Sequence, residues 1–212
     1  MKISMKNLVK ISFVLAAFFM CLNVSAQDEQ ISLGVKAGIN LSNFVSSYDG
    51  ESESAEYKIG PTIGLTVDFK LAESLYLLSG LDLAIKGAKE TEDDFEMSAS
   101  PIYLQVPIHA GYKIDLSDNM KLVIDAGPFL AFGIAGKAKV KIDDYDVSTD
   151  VFGKEEDGGM KRFDFGVGAG AGLEINKIKI GIGYDWGLAN ISYDDEVKAR
   201  TRSGYITVGY KF

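Results

Sequence analysis

Ser203-Gly204-Tyr205-Ile206-Thr207-Val208-Gly209-Tyr210-Lys211-Phe212 closes the sequence. Successive side chains of an extended strand point to opposite faces. Ile206, Val208, Tyr210 and Phe212 therefore share one side, and Tyr205, Thr207, Gly209 and Lys211 the other. One face is apolar to the last residue; the other is small, polar or charged. Such a strand needs partners at both edges and something apolar against one face.

The same two-residue period recurs upstream. It runs through Ile31–Leu41, Ile59–Phe69, Leu75–Lys86, Ile102–Ile114, Met120 to about Ala135, Phe163–Ile175 and Ile178–Trp186, giving eight strands with the last. No stretch after residue 26 carries a useful 3.6-residue period. Long polar connections (42–56, 87–100, about 138–160, 188–202) alternate with tight ones (72–74, 116–119, 176–177). An antiparallel up-and-down sheet puts all the long loops at one end and all the short turns at the other, as membrane barrels do.

Alternation also fits a soluble barrel with its apolar face inward. Three features place that face outward. Glycines 34, 38, 60, 64, 80, 111, 127, 133, 166, 168, 170, 172, 181, 183 and 209 all fall on the polar face, where small residues suit a narrow lumen. The same face carries Lys36, Lys58, Lys86, Lys113, Arg162 and Lys179 against Asp68, Asp82, Asp125, Asp164, Glu174 and Asp185, which can pair across the lumen. On the apolar face, Phe69, Tyr112, Tyr210 and Phe212 gather near the short turns. Phe132, Phe163, Phe165, Tyr184 and Trp186 gather near the long loops. Two aromatic girdles around an aliphatic band are the pattern of a bilayer-facing surface. The expectation is an all-β, closed, antiparallel, eight-stranded up-and-down transmembrane β-barrel. Pro107 and Pro128 lie inside strands, where proline removes a ladder hydrogen bond, so bulges or broken pairing are expected there.

The N-terminus reads as an export signal. Lys2, Lys6 and Lys10 precede an apolar run from Ile11 to Leu22, and Val24-Ser25-Ala26 supplies a cleavage site before Gln27. The run is too short to span a bilayer, and Phe18-Phe19-Met20 is a poor lipobox before Cys21. Residues 1–26 are thus expected as signal peptide and 27–212 as one barrel domain. Cleavage removes the only cysteine, so the mature chain forms no internal disulfide. It also removes three of 22 basic residues and none of 30 acidic ones, leaving a net charge of −11. That balance argues against nucleic acid as a partner.

The stretch Pro101–Lys113, PIYLQVPIHAGYK, resembles a signature of small PorT-like outer-membrane barrels of the Bacteroidota. Tyr103, Leu104, Pro107, Tyr112 and Lys113 match the pattern, while Gln105 stands where an acid is usual. The opening GVKAGINLSN (34–43) is similar to that family's first strand. The resemblance implies the outer membrane, and a terminal aromatic strand read by the insertion machinery. It implies no activity.

His109, the sole histidine, falls on the lumenal face between the strands of Asp82 and Asp125. A base oriented by a carboxylate is one half of a hydrolytic site, but no nucleophile accompanies it. A hydrogen-bonded lumenal histidine is the plainer reading. The loops are acidic: Asp49, Glu51, Glu53 and Glu56; Glu90, Glu92, Asp93, Asp94 and Glu96; Asp143, Asp144, Asp146, Asp150, Glu155, Glu156 and Asp157. Carboxylates at this density attract Ca²⁺ or Mg²⁺, yet Asp144-Tyr145-Asp146 lacks the glycine and distal Glu of a calcium loop. The expectation is a monomeric, non-enzymatic outer-membrane protein with no catalytic, cofactor-binding or metal-binding residues. Its partners would be membrane lipid, lipopolysaccharide bridged through divalent cations, and the insertion machinery. It would act by anchoring and through its acidic loops, in adhesion or as a secretion accessory. The alternatives are a lipid-modifying outer-membrane enzyme and a soluble periplasmic lipid-binding barrel.

Overall fold

The computed structural model describes residues 30–49, 51–92, 95–142, 145–153, 159–194 and 197–212. The expected signal peptide lies outside the described residues. In chain order the strands are β1 (Ile31–Tyr48), β2 (Glu51–Ser54), β3 (Glu56–Lys70), β4 (Leu75–Ile85), β5 (Ala88–Glu92), β6 (Phe95–Ser117), β7 (Met120–Ile142), β8 (Tyr145–Asp150), β9 (Phe163–Ile175), β10 (Ile178–Gly187) and β11 (Val197–Lys211).

Eight of them form a hydrogen-bonded ring, each antiparallel to its neighbours, in the order β1-β3-β4-β6-β7-β9-β10-β11. The terminal strand closes it: β11 pairs with β1 from Gly34↔Lys211 to Tyr48↔Val197, and the Phe212 N–H donates to Leu33 O. β2, β5 and β8 extend this sheet at the long-loop end, pairing with β1, with β3 and β6, and with β7. The turn at Asn176-Lys177 places Asn176 at φ 53°, a left-handed conformation that asparagine tolerates.

The apolar face is outside. Ile39, Ile63, Ile108, Ile124, Ile182 and Val208 are exposed along the wall, as are the girdle residues Phe132, Phe163, Tyr210 and Phe212. Asp68, Asp82, Lys86, Gln105, His109, Lys113, Asp164, Glu174 and Asp185 are buried. A soluble barrel has the opposite arrangement.

One difference from the sequence reading has a physical cause, and the broken pairing expected at the prolines is present. The strands run well into the stretches expected as loops: β6 begins at Phe95, β7 continues to Ile142 and β11 begins at Val197. Beyond the bilayer both faces are wet, so the apolar period disappears. The backbone ladder continues regardless, templated by the pair below. The prolines interrupt pairing on one side only. β4–β6 pairing skips the two positions from Ser79↔Ile108 to Asp82↔Gln105, around Pro107, while Pro107 still pairs with Phe129 of β7. β6–β7 pairing likewise skips Pro128, while Pro128↔Val167 is kept with β9. A strand residue turns its N–H toward one neighbour only, so a missing donor opens one ladder and spares the other.

Lipid exposure predicts a cost for charge on the wall. Ile182→Arg, with Ile182 59 % exposed in mid-strand, is expected to lower stability by roughly 2–4 kcal/mol in a denaturant titration of vesicle-folded protein. An unchanged midpoint would mean that Ile182 does not face hydrocarbon.

Candidate functional site

The lumen is filled by ion pairs stacked from the short-turn end upward. Lys113 Nζ lies 2.6 Å from Asp68 Oδ2 and 2.9 Å from Glu174 Oε2, and 4.4 Å above the Tyr76 ring. Lys211 completes this group on the other Glu174 oxygen. Above it, Lys36 pairs with Asp82 at 2.8 Å and His109 Nδ1 with Asp125 Oδ1 at 2.6 Å. Higher still, Lys86 donates to Gln105 Oε1 at 2.7 Å, and Gln105 Nε2 donates to Asp185 Oδ2 at 2.8 Å. The Thr201 hydroxyl donates to Asp164 Oδ2 at 2.7 Å. Charge removed from water in this way is tolerable only when paired and hydrogen-bonded. Of the cations expected to pair in the lumen, Lys36, Lys86 and Lys113 do so.

His109 is oriented by Asp125 alone; Asp82 is held by Lys36 instead. The imidazole is buried, and neither its Nε2 nor Asp82 Oδ1 has a protein partner. Both residues line a lumenal cavity of about 110 Å³, together with Lys36, Asp125, Lys179 and Tyr205. A space of that size, with unpartnered polar atoms such as His109 Nε2 on its wall, has room for ordered water. Ser79 lines the same cavity, and its hydroxyl donates to Pro107 O at 2.7 Å.

The long-loop end of the lumen is closed by an apolar plug that alternation alone did not reveal. Tyr103, Phe129, Ala131, Val151 and Phe152 form one buried cluster, with Tyr103 and Phe152 edge to face at 5.7 Å. Phe152 belongs to the segment after β8, which folds inward and is stitched down by Val151 N–H to Gly136 O and Met160 N–H to Val151 O. Gly133 makes room: a Cβ there would run into the Phe152 ring. Arg162 covers that ring, its guanidinium 5.0 Å from the centroid, and donates to Gly133 O. Arg162 thus anchors the plug rather than pairing in the lumen. The available signal was the parity of Phe129 and Tyr103, which puts two aromatics on the polar face.

At the rim, Glu56 pairs with Lys89 at 3.0 Å and Asp150 with Lys137 at 2.7 Å. The hydrogen bond from Lys137 holds the Asp150 carboxyl below the usual carboxylate range. Among the described residues no three His, Cys, Asp or Glu side chains converge on a cation position. Asp93, Asp94, Asp143, Asp144 and Glu155–Asp157 lie outside the described residues. Lys58, expected in the lumen, reaches instead over Gly87 to the Ser100 hydroxyl at 2.7 Å. Pairing is offset by one residue on both sides at this point, Val45↔Ser54 against Ser42↔Lys58 toward β1 and Tyr57↔Ala88 against Thr62↔Ala84 toward β5 and β4, so strand parity no longer predicts its face.

Residues 25–193 match the family described as outer membrane protein beta-barrel domain. Among solved structures, the chain is similar to Ail, the attachment invasion locus protein of Yersinia pestis (17 % identity, 87 % of this chain and 100 % of that one, TM-score 0.39). It is also similar to Neisserial surface protein A (18 %, 87 % and 100 %, 0.43) and to OprG from Pseudomonas aeruginosa (11 %, 85 % and 95 %, 0.45). No curated protein matches by sequence.

The lumenal network predicts a marked asymmetry. Lys113→Ala leaves Asp68 without its cation and is expected to cost roughly 3–5 kcal/mol in the same titration. Lys137→Ala, which breaks an exposed pair, should shift the midpoint little.

Proposed function

We propose, from the premise that the chain belongs to the outer-membrane β-barrel domain family, that it is a non-enzymatic anchor whose work is done by the surface it holds outside the membrane. It is an outer-membrane protein, and the barrel is its means of staying there. The plugged lumen carries this reading: a buried aromatic cluster closes the long-loop mouth and paired charges fill the space beneath it. With the interior occupied, the extended hairpins β1–β2, β5–β6 and β7–β8 and the acidic loops remain for contact with partners. An adhesive or secretion-accessory role fits such a platform. A terminal strand that ends on Phe212 and closes the ring fits recognition by the insertion machinery on the way to the membrane.

Three measurements test this. In planar bilayers the folded protein is expected to show no steady open-pore conductance. Reversing Asp49, Glu51 and Glu53 to lysine should leave the unboiled-versus-boiled gel shift of a closed barrel intact and change cell-surface binding; unchanged binding removes the loops from the function. His109→Ala should leave lipid A acylation as it was, and a lost acyl modification would point to an enzyme.

A further inference from the structure

A single bulge decides where three lysines point. β6 and β7 pair as Tyr103↔Gly133 but as Ile102↔Ala135, leaving Ile134 as an extra residue. Below it the odd-numbered residues of β7 face inward: Phe129, Ala131 and Gly133 are buried. Above it the faces exchange, as a one-residue shift requires. Ala138 then packs against the plug, and Lys137, Lys139 and Lys141 turn to the outer side, all exposed. Without the bulge these lysines would continue the row into the lumen.

Their cross-strand partners on β6 are Ser100, Ser98 and Glu96. Lys89 of β5 pairs with Ser98, and Lys58 donates to Ser100. The result is a polar recess of about 230 Å³ lined by Lys58, Glu96, Ser98, Ser100, Lys139 and Lys141. Lys137 and Lys89 stand beside it, each paired with a carboxylate. Among the described residues Lys139 and Lys141 have no ion pair. On a chain of net charge −8, five lysines stand on this outward face against Glu56, Glu96 and Asp150, a local excess of positive charge. Lys137–Lys141 begin five residues past the girdle residue Phe132. With a rise of roughly 3.3 Å per residue and tilted strands, they stand roughly 10–20 Å beyond it, outside the hydrocarbon.

We propose that this recess binds phosphate groups of lipopolysaccharide, on the headgroup or the adjoining core sugars, directly through lysine and serine. Ammonium groups supply charge, and the Ser98 and Ser100 hydroxyls supply donors to the phosphate oxygens. The lysine face sits where outer-leaflet phosphates are, and its charge is complementary to theirs. The proposal rests on the outer-membrane location and not on a surface-binding role, so either can fail alone.

The test uses full-length protein folded in detergent and titrated with rough-type lipopolysaccharide. The arms are the same lipid after phosphatase treatment, and each titration repeated with EDTA. Lys139→Ala and Lys141→Ala are expected to weaken binding roughly five-fold each, the scale of one basic residue at an anionic membrane surface. Ser98→Glu, which adds a negative charge to the recess, should weaken it as well, and Lys198→Ala on β11 should not. Dephosphorylated lipid should bind no better than the double lysine variant. Every variant is first checked for the gel shift of the closed barrel. Parental affinity in the lysine variants, equal binding of dephosphorylated lipid, or complete loss with EDTA would each overturn the proposal. The last result would assign binding to the acidic rim through divalent cations.

Discussion

A bilayer offers no water to backbone amides, so each N–H and C=O at membrane depth must find a partner within the protein. Strands meet that demand only if the sheet has no free edge. Pairing between the two ends of the chain, β1 with β11, is what removes the edges here. The other features follow from this closure. An eight-stranded ring encloses a space about wide enough for side chains and little else. That space must be filled, its fillers are polar because the apolar face is turned to lipid, and buried polar fillers must bond to one another.

The filling proceeds by layers with different chemistry. Toward the short turns the layers are ion pairs, in which two lysines share Glu174 and one of them also holds Asp68. Toward the loops the charges give way to Gln105 and Thr201 as intermediaries, and then to aromatics. Lys86 marks the transition, bonded to Gln105 below and lying 4.9 Å from the centroid of the Phe129 ring. The plug thus rests on the charged network rather than replacing it. The prolines show how much irregularity closure permits: each opens one ladder locally, and the flanking pairs keep their register.

Outside the membrane the constraint relaxes and the sheet uses the freedom. Strands continue as wet hairpins, a bulge at Ile134 exchanges the faces of β7, and the segment carrying Val151 and Phe152 turns inward. An apolar period is imposed only by the bilayer, so along most of this region the sequence looks like loop. The lysines of 137–141 alternate with Ala138 and Val140, which carries no mark of which side is out.

The chain's own residues determined the architecture: eight alternating segments, loop lengths, glycine on one face and aromatics at the ends of the other. These are local properties, because a two-residue period set against a bilayer needs no knowledge of distant partners. Tertiary structure alone decided which charges meet, as in Gln105 with Asp185, 80 residues away. It also decided that Asp125, not Asp82, holds His109, that Phe152 fills the room Gly133 leaves, and that Lys58, Lys137, Lys139 and Lys141 stand outside the lumen. Each depends on register between strands, and the lysine face of β7 also on one unpaired residue. A one-residue offset reverses a face while leaving the composition on which sequence reading relies unchanged.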